Sequence, residues 1–234
     1  MVRFKKCTFL LVAAALLLIP LMPQAQRTSV GIEITGNRPE DVEVVQMEDP
    51  FEGANRNVFG FNEGVDEMFL EPVARGYVNV VPEWGRDRVD NFMSNLDEPV
   101  TFVSSVLQGD VENAFTSFWR FVLNTTIGIG GLFDQAQYAG LEKREEDFGQ
   151  TLAKWGVGDG FYVVLPIFGP SNLRDTAGLI LTATTDPVNA YAVSEGEGWI
   201  VPFRTTINAI DRRSKIIDEV NSLRNNSVDY YAAV

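Results

Sequence analysis

Apolar residues recur every three or four positions along most of the chain from residue 49 onward. This spacing places them on one face of a helix, so the sequence predicts several amphipathic helices separated by glycine and proline. The first helix begins at Asp49 and Pro50, where the carboxylate caps free amides and proline fits the first turn, and it ends before Pro72. Its apolar face consists of Phe51, Ala54, Val58, Phe61, Val65 and Phe69.

Further helices follow the same rules. Pro82 opens one helix, Pro99 starts another that Gly109 can end, and Asp110 caps a third, which ends after Asn124. In that third helix, one face carries Val111, Ala114, Phe115, Phe118 and Val122, and the other carries Glu112, Asn113, Thr116, Ser117 and Arg120. Two later helices are predicted over residues 173–184 and 202–220.

A different pattern separates the early helices from the late ones. Gly156, Gly158 and Gly160 precede an apolar run over residues 161–168 that is interrupted by Pro166. Alternating glycines and a short apolar run favour an extended backbone, so this region is predicted to be a loop or hairpin.

The stretch over residues 117–134 is too apolar for an ordinary water-facing surface. Arg120, Asn124 and three glycines nevertheless make it unsuitable as a bilayer span. An ordinary helical core, in which apolar faces bury one another, is the simpler interpretation of the amphipathic pattern as a whole. This stretch fits better along an acyl boundary, because its apolar residues cover most of the helix circumference.

The first 25 residues have the organisation of a cleavable secretory signal. Arg3, Lys5 and Lys6 precede an apolar run over residues 9–19, and small Ala25 follows. The run is shorter than the roughly 20 apolar residues that a bilayer span requires. Residues 26–48 are polar and acidic, which predicts a flexible linker before a single domain over residues 49–234. Cys7, the only cysteine, would leave with the signal, so the mature chain has no disulfide.

The charge and the amino-acid composition exclude several classes of function. The net charge of −13 disfavours nucleic acid and anionic lipid head groups, so any membrane contact must come from apolar burial. The chain has no histidine, which excludes Ser-His and Cys-His nucleophiles and imidazole metal sites. A hydrolase with paired carboxylates stays open, because the distance between two carboxyl groups is not visible in sequence. We predict no catalytic residue, no metal and no cofactor.

Five motifs resemble one known family over residues 49 to about 229. They are DPFEGANRNVFGFN, NFMSNLDEP, LQGD, NTTIGIGGLFD and EDFGQTLAKWGVGDGFYVVLPIFGPSNLRD. In this order and spacing they are similar to the MlaA (VacJ) family of outer-membrane phospholipid transport proteins.

The resemblance implies an all-α domain whose amphipathic helices form a ring around a central channel, with a glycine-rich hairpin loop. Such a ring lies in the inner leaflet of the outer membrane. It takes phospholipid that has strayed into the outer leaflet and passes it to a soluble periplasmic carrier while bound to an outer-membrane porin trimer. It is not an enzyme. A soluble periplasmic helical scaffold or interaction protein without a lipid path is the alternative.

The resemblance also implies site residues. The flexible loop over the channel corresponds to Gly156, Gly158, Gly160 and Tyr162. The segment that controls channel opening corresponds to Phe59, Phe61 and Asn62, and the charged channel mouth to Arg174 and Asp175. The residues expected to contact acyl chains are Phe118, Trp119, Phe121 and Phe133.

Two features depart from the family pattern. Many members carry a lipidated cysteine directly after the signal segment, whereas Cys7 precedes the apolar run. We therefore expect a location at the periplasmic face of the outer membrane that depends on leaflet insertion and porin contact. The family ordinarily continues past Val234 with a further amphipathic helix, so the chain is expected to be truncated at its carboxyl end.

Overall fold

The computed structural model describes residues 49–234, and helices dominate this part of the chain. The predicted signal over residues 1–25 and the predicted linker over residues 26–48 lie outside the described residues. We number the helices α1 to α11 and the strands β1 and β2 in chain order.

The first helical stretch is continuous from residue 52 to residue 80. Helix α1 (Glu52–Val65) leads into a π-helical turn (Asp66–Leu70), which leads into α2 (Glu71–Val80). The prediction that the helix ends before Pro72 is therefore wrong. Proline lacks an amide hydrogen and its ring crowds the preceding turn, and the wider π turn directly before Pro72 provides the space that it needs.

Helix α3 (Glu83–Gln108) continues through Pro99 without interruption, so the prediction of a separate helix starting there is also wrong. Side chains on both sides of the proline, including Glu98 and Thr101, are buried against neighbouring elements. This packing offsets the hydrogen bond that proline removes. Gly109 ends α3 in the left-handed conformation (φ 74°), as predicted.

The second half of the described chain contains shorter elements. Helix α4 (Val111–Thr126) is followed by turns over residues 127–133 and then by α5 (Gln135–Tyr138) and α6 (Phe148–Lys154). The strands β1 (Tyr162–Leu165) and β2 (Gly169–Asn172) form an antiparallel hairpin in which Tyr162 pairs with Asn172. The extended region predicted after the three glycines is thus confirmed.

Five helices follow the hairpin. They are α7 (Leu173–Thr185), α8 (Pro187–Ser194), α9 (Ile200–Lys215), α10 (Ile217–Asn226) and α11 (Tyr230–Ala233). The single helix predicted over residues 202–220 is divided at Ile216, where the backbone leaves the helical conformation (φ −121°, ψ 22°).

Contacts between elements close into a ring. The α1–α2 stretch packs against α9, α9 against α3, α3 against α6, and α6 against α7. The hairpin then contacts both α7 and α1, which completes the circuit, while α4 lies against α3. The structure has the predicted fold class, an all-helical ring with one small hairpin.

The interior of this ring is unusually polar. The buried apolar side chains are few and mostly small, such as Ala74, Val100 and Ala114. The buried polar side chains include three arginines, Arg120, Arg204 and Arg213, together with several asparagines and serines. Within residues 49–234, no helix combines the length and the apolar character that crossing a bilayer requires.

Candidate functional site

Helix α4 exposes its aromatic side chains and buries most of the polar side chains of its middle turns. Phe115 is 61% exposed and Phe118 is 46% exposed, whereas Asn113, Ser117 and Arg120 are buried. A helix on the surface of a water-soluble protein has the opposite arrangement. The interpretation that the apolar faces bury one another in a core therefore fails for α4.

The exposed aromatic side chains form a continuous cluster. The ring of Trp119 lies 6.0 Å from that of Phe115 and 5.5 Å from that of Phe118, and Phe102 on α3 lies 6.0 Å from Phe118. A contiguous apolar surface of this kind marks an interaction site on a protein. We call Phe102, Phe115, Phe118 and Trp119 the aromatic patch.

Three of the four residues predicted to contact acyl chains are exposed. Phe118 and Trp119 lie in the aromatic patch, and Phe133 is exposed in the turns after α4. Phe121 is half-buried. Ile129 and Leu132 are exposed beside Phe133, so the apolar surface extends from α4 into these turns. That these residues touch lipid remains a prediction.

The buried face of α4 is organised by Arg120. Its guanidinium contacts the carboxylate of Glu98 at 2.7 Å and that of Asp134 at 3.0 Å, and it donates to the carbonyl of Leu141. Burial raises the pKa of Glu98 even though Arg120 opposes this shift. Burial also acts to raise the pKa of Asp134, but the bonds from Arg120 outweigh it and hold this pKa below its ordinary value. The cluster joins α3, α4 and the segment after α5.

Arg204 on α9 forms a second buried cluster. It donates to Asp186 at 2.6 Å, to the carbonyl of Leu96 at 3.1 Å, and also to Asp97. Burial raises the pKa of Asp97. Because these partners lie on α3 and at the start of α8, Arg204 ties three parts of the ring together.

The third cluster surrounds the π turn before Pro72. Arg213 on α9 contacts both carboxylate oxygens of Asp66, at 2.8 and 2.9 Å, and Arg224 on α10 contacts Asp66 at 2.9 Å. Arg213 also lies 3.5 Å from Glu71. A two-point contact between guanidinium and carboxylate fixes orientation as well as distance. The π turn is thereby attached to α9 and α10.

The Asp66 cluster predicts a specific pH dependence. Burial acts to raise the pKa of Asp66, but the bonds from Arg213 and Arg224 outweigh it, so the pKa lies below its ordinary value. The resulting stabilisation is present above the unfolded pKa of about 4 and is lost as the pH falls through the lower folded value. Asp66→Asn should lower the thermal midpoint at pH 7, and the difference from the wild type should shrink at pH 3.

Thermal unfolding followed by circular dichroism in detergent at both pH values measures this effect. Asp87→Asn, at an exposed position on α3, is the matched control and should change little at either pH. An Asp66→Asn deficit that is equally large at pH 7 and pH 3 would contradict the assignment.

The hairpin is attached to α1 by two asparagines seven residues apart. The Asn55 amide donates to the carbonyl of Tyr162 at 3.2 Å and accepts from the amide of Val164 at 3.0 Å. Asn62 donates to the carbonyl of Leu165 at 2.8 Å and accepts from the amide of Ile167 at 2.7 Å. Seven residues are two helical turns, so both amides lie on one face of α1 and pair with β1 and its turn as a neighbouring strand would.

Phe59 lies between these asparagines on α1 and contacts the carboxyl end of the described chain. Its ring lies 5.2 Å from Tyr230 and 5.3 Å from Tyr231, in edge-to-face geometry. Tyr231 also lies 6.3 Å from Tyr162 and donates a hydrogen bond to Asp49. The end of the chain therefore rests on the junction of α1 and the hairpin.

One of the two predicted mouth residues, Arg174, contacts the glycine-rich loop, and the other, Asp175, pairs with Arg174. The Arg174 guanidinium donates to Asp175 at 2.8 Å and to the carboxylate of Asp159, and its backbone amide donates to the Asp159 carbonyl at 3.1 Å. Gly156 and Gly160 flank Asp159 with φ of 86° and 72°, which other residues rarely adopt. The loop is thus held at Asp159, and its glycines supply the turns.

The structure brings part of the predicted gate together, with three exceptions. Phe59, Asn62 and Tyr162 lie at the junction of α1 and the hairpin, and Gly160 and Arg174 lie at the base of β1. Phe61 is 56% exposed, and Gly156 and Gly158 are exposed in the loop. The roles predicted for these residues remain untested.

Loss of Asn62 should loosen the hairpin without unfolding the ring. Asn62→Leu removes both hydrogen bonds to the turn, which contribute about 1 kcal/mol each. The amides of residues 164, 165, 167 and 168 should then exchange hydrogen about tenfold faster or more. Hydrogen exchange followed by mass spectrometry measures the change.

Asn57→Leu is the matched control, because Asn57 is exposed on the same helix and bonds only within it, to the Gly53 carbonyl. Unchanged exchange over residues 164–168 in Asn62→Leu would show that other contacts hold the hairpin.

The sequence model for the family described as MlaA lipoprotein matches residues 47–234. The chain belongs to the MlaA lipoprotein family.

Relatives support this family along most of the chain. An intermembrane phospholipid transport system lipoprotein MlaA from Escherichia coli (strain K12) is 37% identical over 187 residues, which cover 78% of this chain and 72% of the relative. The protein of the same name from Haemophilus influenzae is 34% identical over 202 residues, covering 83% and 78%. An uncharacterized protein from Rickettsia bellii is 38% identical over 190 residues, covering 81% and 73%.

A solved structure shares the fold. It comes from work on the structural basis for maintenance of bacterial outer membrane lipid asymmetry, and it is 38% identical in sequence with a TM-score of 0.69. The match covers 79% of this chain and 92% of that one. The predicted MlaA family and the predicted helical ring are both confirmed.

Several contacts of the site were not predicted by the sequence analysis. Asn55 shares a helix face with the predicted residue Asn62, and that spacing was a usable signal for a contact with polar backbone. Arg120 and Glu98 were visible as charges within apolar stretches, but nothing in the sequence paired them. Tyr231 gave no signal, because its contacts with α1 join opposite ends of the domain.

Proposed function

We propose that this MlaA family member is a phospholipid channel in the inner leaflet of the outer membrane. It removes mislocalised phospholipid from the outer leaflet and passes it to a soluble periplasmic carrier. The observation that carries the proposal is the inverted polarity of the ring, with the aromatic patch outside and Arg120, Arg204 and Arg213 inside. The names of the Escherichia coli and Haemophilus influenzae relatives support phospholipid transport as the general role.

The outer surface suits an acyl environment. Phe115 and Phe118 would lose contact with water among acyl chains, and burial of one such side chain contributes about 1.5–3 kcal/mol. A ring whose helices are too short or too polar to span a bilayer can still be held in one leaflet by such a face. Apolar burial also explains how an acidic protein binds a membrane without electrostatic attraction.

The inner surface suits a head group. A charged or zwitterionic head group cannot cross an apolar wall without losing its hydration. Buried arginines that are fully paired with carboxylates supply a polar environment without a net charge that would trap the lipid. No step of this transfer requires a covalent change, so we assign no catalytic residue and no cofactor.

We place the gate at the junction of α1 and the hairpin. Phe59, Asn62 and Tyr162 converge there, and the loop with Gly156, Gly158 and Gly160 leads into β1. A loop that turns through positive φ at glycine can change its path with little steric cost. Arg174 would set the loop position at the channel mouth through Asp159.

Location and partners complete the proposal. Residues 1–25 export the protein, residues 26–48 link the signal to the ring, and residues 49–234 form the transporting domain at the periplasmic face of the outer membrane. A porin trimer holds the ring in place, and a periplasmic carrier receives the lipid.

Deletion of the gene in the native bacterium tests the function. We expect phospholipid to accumulate at the cell surface and resistance to detergent to fall, with both restored by the wild-type gene. Unchanged surface phospholipid would contradict the proposal. Recovery of the protein in the aqueous fraction after osmotic release, without detergent and without bound phospholipid, would support a scaffold instead.

A further inference from the structure

The short helix α11 is attached to the junction of α1 and the hairpin by a few separate contacts. None of its residues is buried, and a link over residues 227–229 joins it to α10. An element that buries little of its own surface has low local stability, so it can detach while the rest of the protein stays folded. The contacts that α11 makes therefore decide how long it stays in place.

One of these contacts leads to the hairpin through a chain of hydrogen bonds. The Tyr231 hydroxyl donates to one carboxylate oxygen of Asp49, and the other oxygen accepts from the Asn55 amide at 2.8 Å. Asn55 also donates to the Tyr162 carbonyl at 3.2 Å and accepts from the Val164 amide at 3.0 Å. Hydrogen bonds thus connect Tyr231 to the backbone of β1 without a gap.

Asp49 orients Asn55 for its contact with β1. The amide nitrogen of Asn55 must point toward the Tyr162 carbonyl, and the Asp49 carboxylate, which only accepts, favours the same orientation. The Asp49 oxygen that meets Tyr231 accepts from no other residue in the range 49–234. Without the Tyr231 hydroxyl, the half-buried carboxylate would turn toward water and release Asn55.

The ring of Tyr231 is held by side chains of α1 and β1. It lies 5.3 Å from the ring of Phe59 and 6.3 Å from that of Tyr162, and the Arg56 guanidinium lies 4.4 Å from its centre. Arg56 also donates to both carboxylate oxygens of Asp229, at 3.2 and 2.7 Å. Burial and the nearby Asp49 carboxylate raise the pKa of Tyr231, so the hydroxyl keeps its proton and stays a donor.

Tyr230 shows that the position of the hydroxyl matters. Its ring also contacts Phe59, at 5.2 Å, and the Arg224 guanidinium lies 5.5 Å from its centre. Its hydroxyl takes no part in the hydrogen bonds that lead to β1. The two neighbouring tyrosines thus share an aromatic contact with α1, and Tyr231 alone of the two is connected to the hairpin by hydrogen bonds.

We propose that Tyr231 is a positioning residue of the gate and that α11 acts as a latch. While Tyr231 is in place, Asp49 and Asn55 hold β1 against α1 and the hairpin stays closed. Detachment of α11 frees β1, and the hairpin can then move away from α1. The inference rests on the proposed function, to which it adds control of the gate by the last helix of the described chain.

The reaction of a cysteine in β1 with a small thiol reagent measures opening of the hairpin. Val164 is 5% exposed, so the thiol of Val164→Cys should react only when the hairpin opens. Cys7→Ser in every variant leaves the introduced cysteine as the only one in the full chain. In detergent micelles, Tyr231→Phe should raise the rate of labelling by a methanethiosulfonate about tenfold, which is the effect of losing one hydrogen bond to a charged acceptor.

Two controls accompany this measurement. Tyr230→Phe makes the same chemical change one residue away, and it should alter the labelling rate by less than about twofold. Ala136→Cys lies on α5, is 0% exposed and reports opening of the part of the ring beside α4. Tyr231→Phe should leave the labelling rate of this second cysteine unchanged.

A double-mutant cycle tests whether Tyr231 acts through Asp49. Asp49→Ala removes the same hydrogen bond from its other side and should also speed the labelling of Val164→Cys. Tyr231→Phe should then have little further effect in the Asp49→Ala protein, because both changes break one chain of contacts. Full additivity of the two effects would contradict the proposed connection.

Equal labelling rates in Tyr231→Phe and Tyr230→Phe would overturn the latch. An equal increase at Val164→Cys and Ala136→Cys would also overturn it, because the whole ring would then have loosened. The transport function would stand in both cases, since no step of the measurement involves lipid. Failure of the transport function has a different sign, namely unchanged surface phospholipid after deletion of the gene.

Discussion

Arg120→Met is expected to lower the free energy of unfolding by about 3–5 kcal/mol, which is the usual effect of removing one partner of a buried ion pair. Arg120 is 3% exposed and contacts Glu98, Asp134 and the Leu141 carbonyl. Its removal leaves the Glu98 carboxylate buried without a cation, and methionine fills most of the volume but donates no hydrogen bond. Chemical denaturation in detergent, followed by circular dichroism, measures the loss.

The control for this prediction is Arg212→Met on α9, where the arginine is exposed. This variant should unfold within about 0.5 kcal/mol of the wild type. A second variant, Arg120→Met with Glu98→Leu, should recover part of the lost stability because it also removes the stranded carboxylate. An Arg120→Met protein as stable as Arg212→Met would show that the interior is hydrated enough to screen Glu98.

The helices of this fold were largely predictable from local sequence. Asp110, Gly109 and the glycines after Asn124 mark helix ends through capping and backbone conformation, which act within a few residues. The errors at Pro72 and Pro99 have a common physical cause. Proline weakens one helical turn, and the local sequence does not show whether the helix continues beyond it. Before Pro72 a π turn lets the helix continue, and beside Pro99 the burial of Glu98 stabilises it.

Which face of a helix points inward was not decided by its amphipathic pattern. The separation of Phe115 and Phe118 from Ser117 and Arg120 is the same whether the surroundings are water or acyl chains. The side that is buried depends on the solvent, and the pattern contains no information on the solvent. The breadth of the apolar arc over residues 117–134 was the one local sign that the usual assignment fails there.

The contacts of the site could not be predicted because they join distant residues. Asn62 meets Leu165, Arg213 meets Asp66, and Tyr231 meets Asp49, each across more than 100 residues. A single sequence shows which side chains can form ion pairs or amide contacts but not which partners they choose. The glycine-rich loop was recognisable because positive φ at Gly156 and Gly160 is a local property.

The aromatic patch leads to the second large prediction. Phe115→Glu combined with Phe118→Glu should leave the ring folded and shift the protein from the membrane fraction to the aqueous fraction. The two side chains together contribute about 3–6 kcal/mol when buried in acyl chains, so membrane partitioning should fall about a hundredfold or more. Sedimentation of membranes, with immunoblotting of both fractions, measures the distribution.

Ala114→Glu on the same helix is the control, because Ala114 is 6% exposed and faces inward. Ala114→Glu buries an unpaired charge, so the protein should unfold. It does so with one added carboxylate, whereas the variant with glutamate at both 115 and 118 adds two. Comparison of the two variants shows that the two sides of the helix have different surroundings. A carboxylate is tolerated on the side that faces outward and is not tolerated on the side that faces the ring. If the double glutamate variant unfolds in detergent as Ala114→Glu does, or stays with the membrane as the wild type does, the aromatic patch does not face acyl chains.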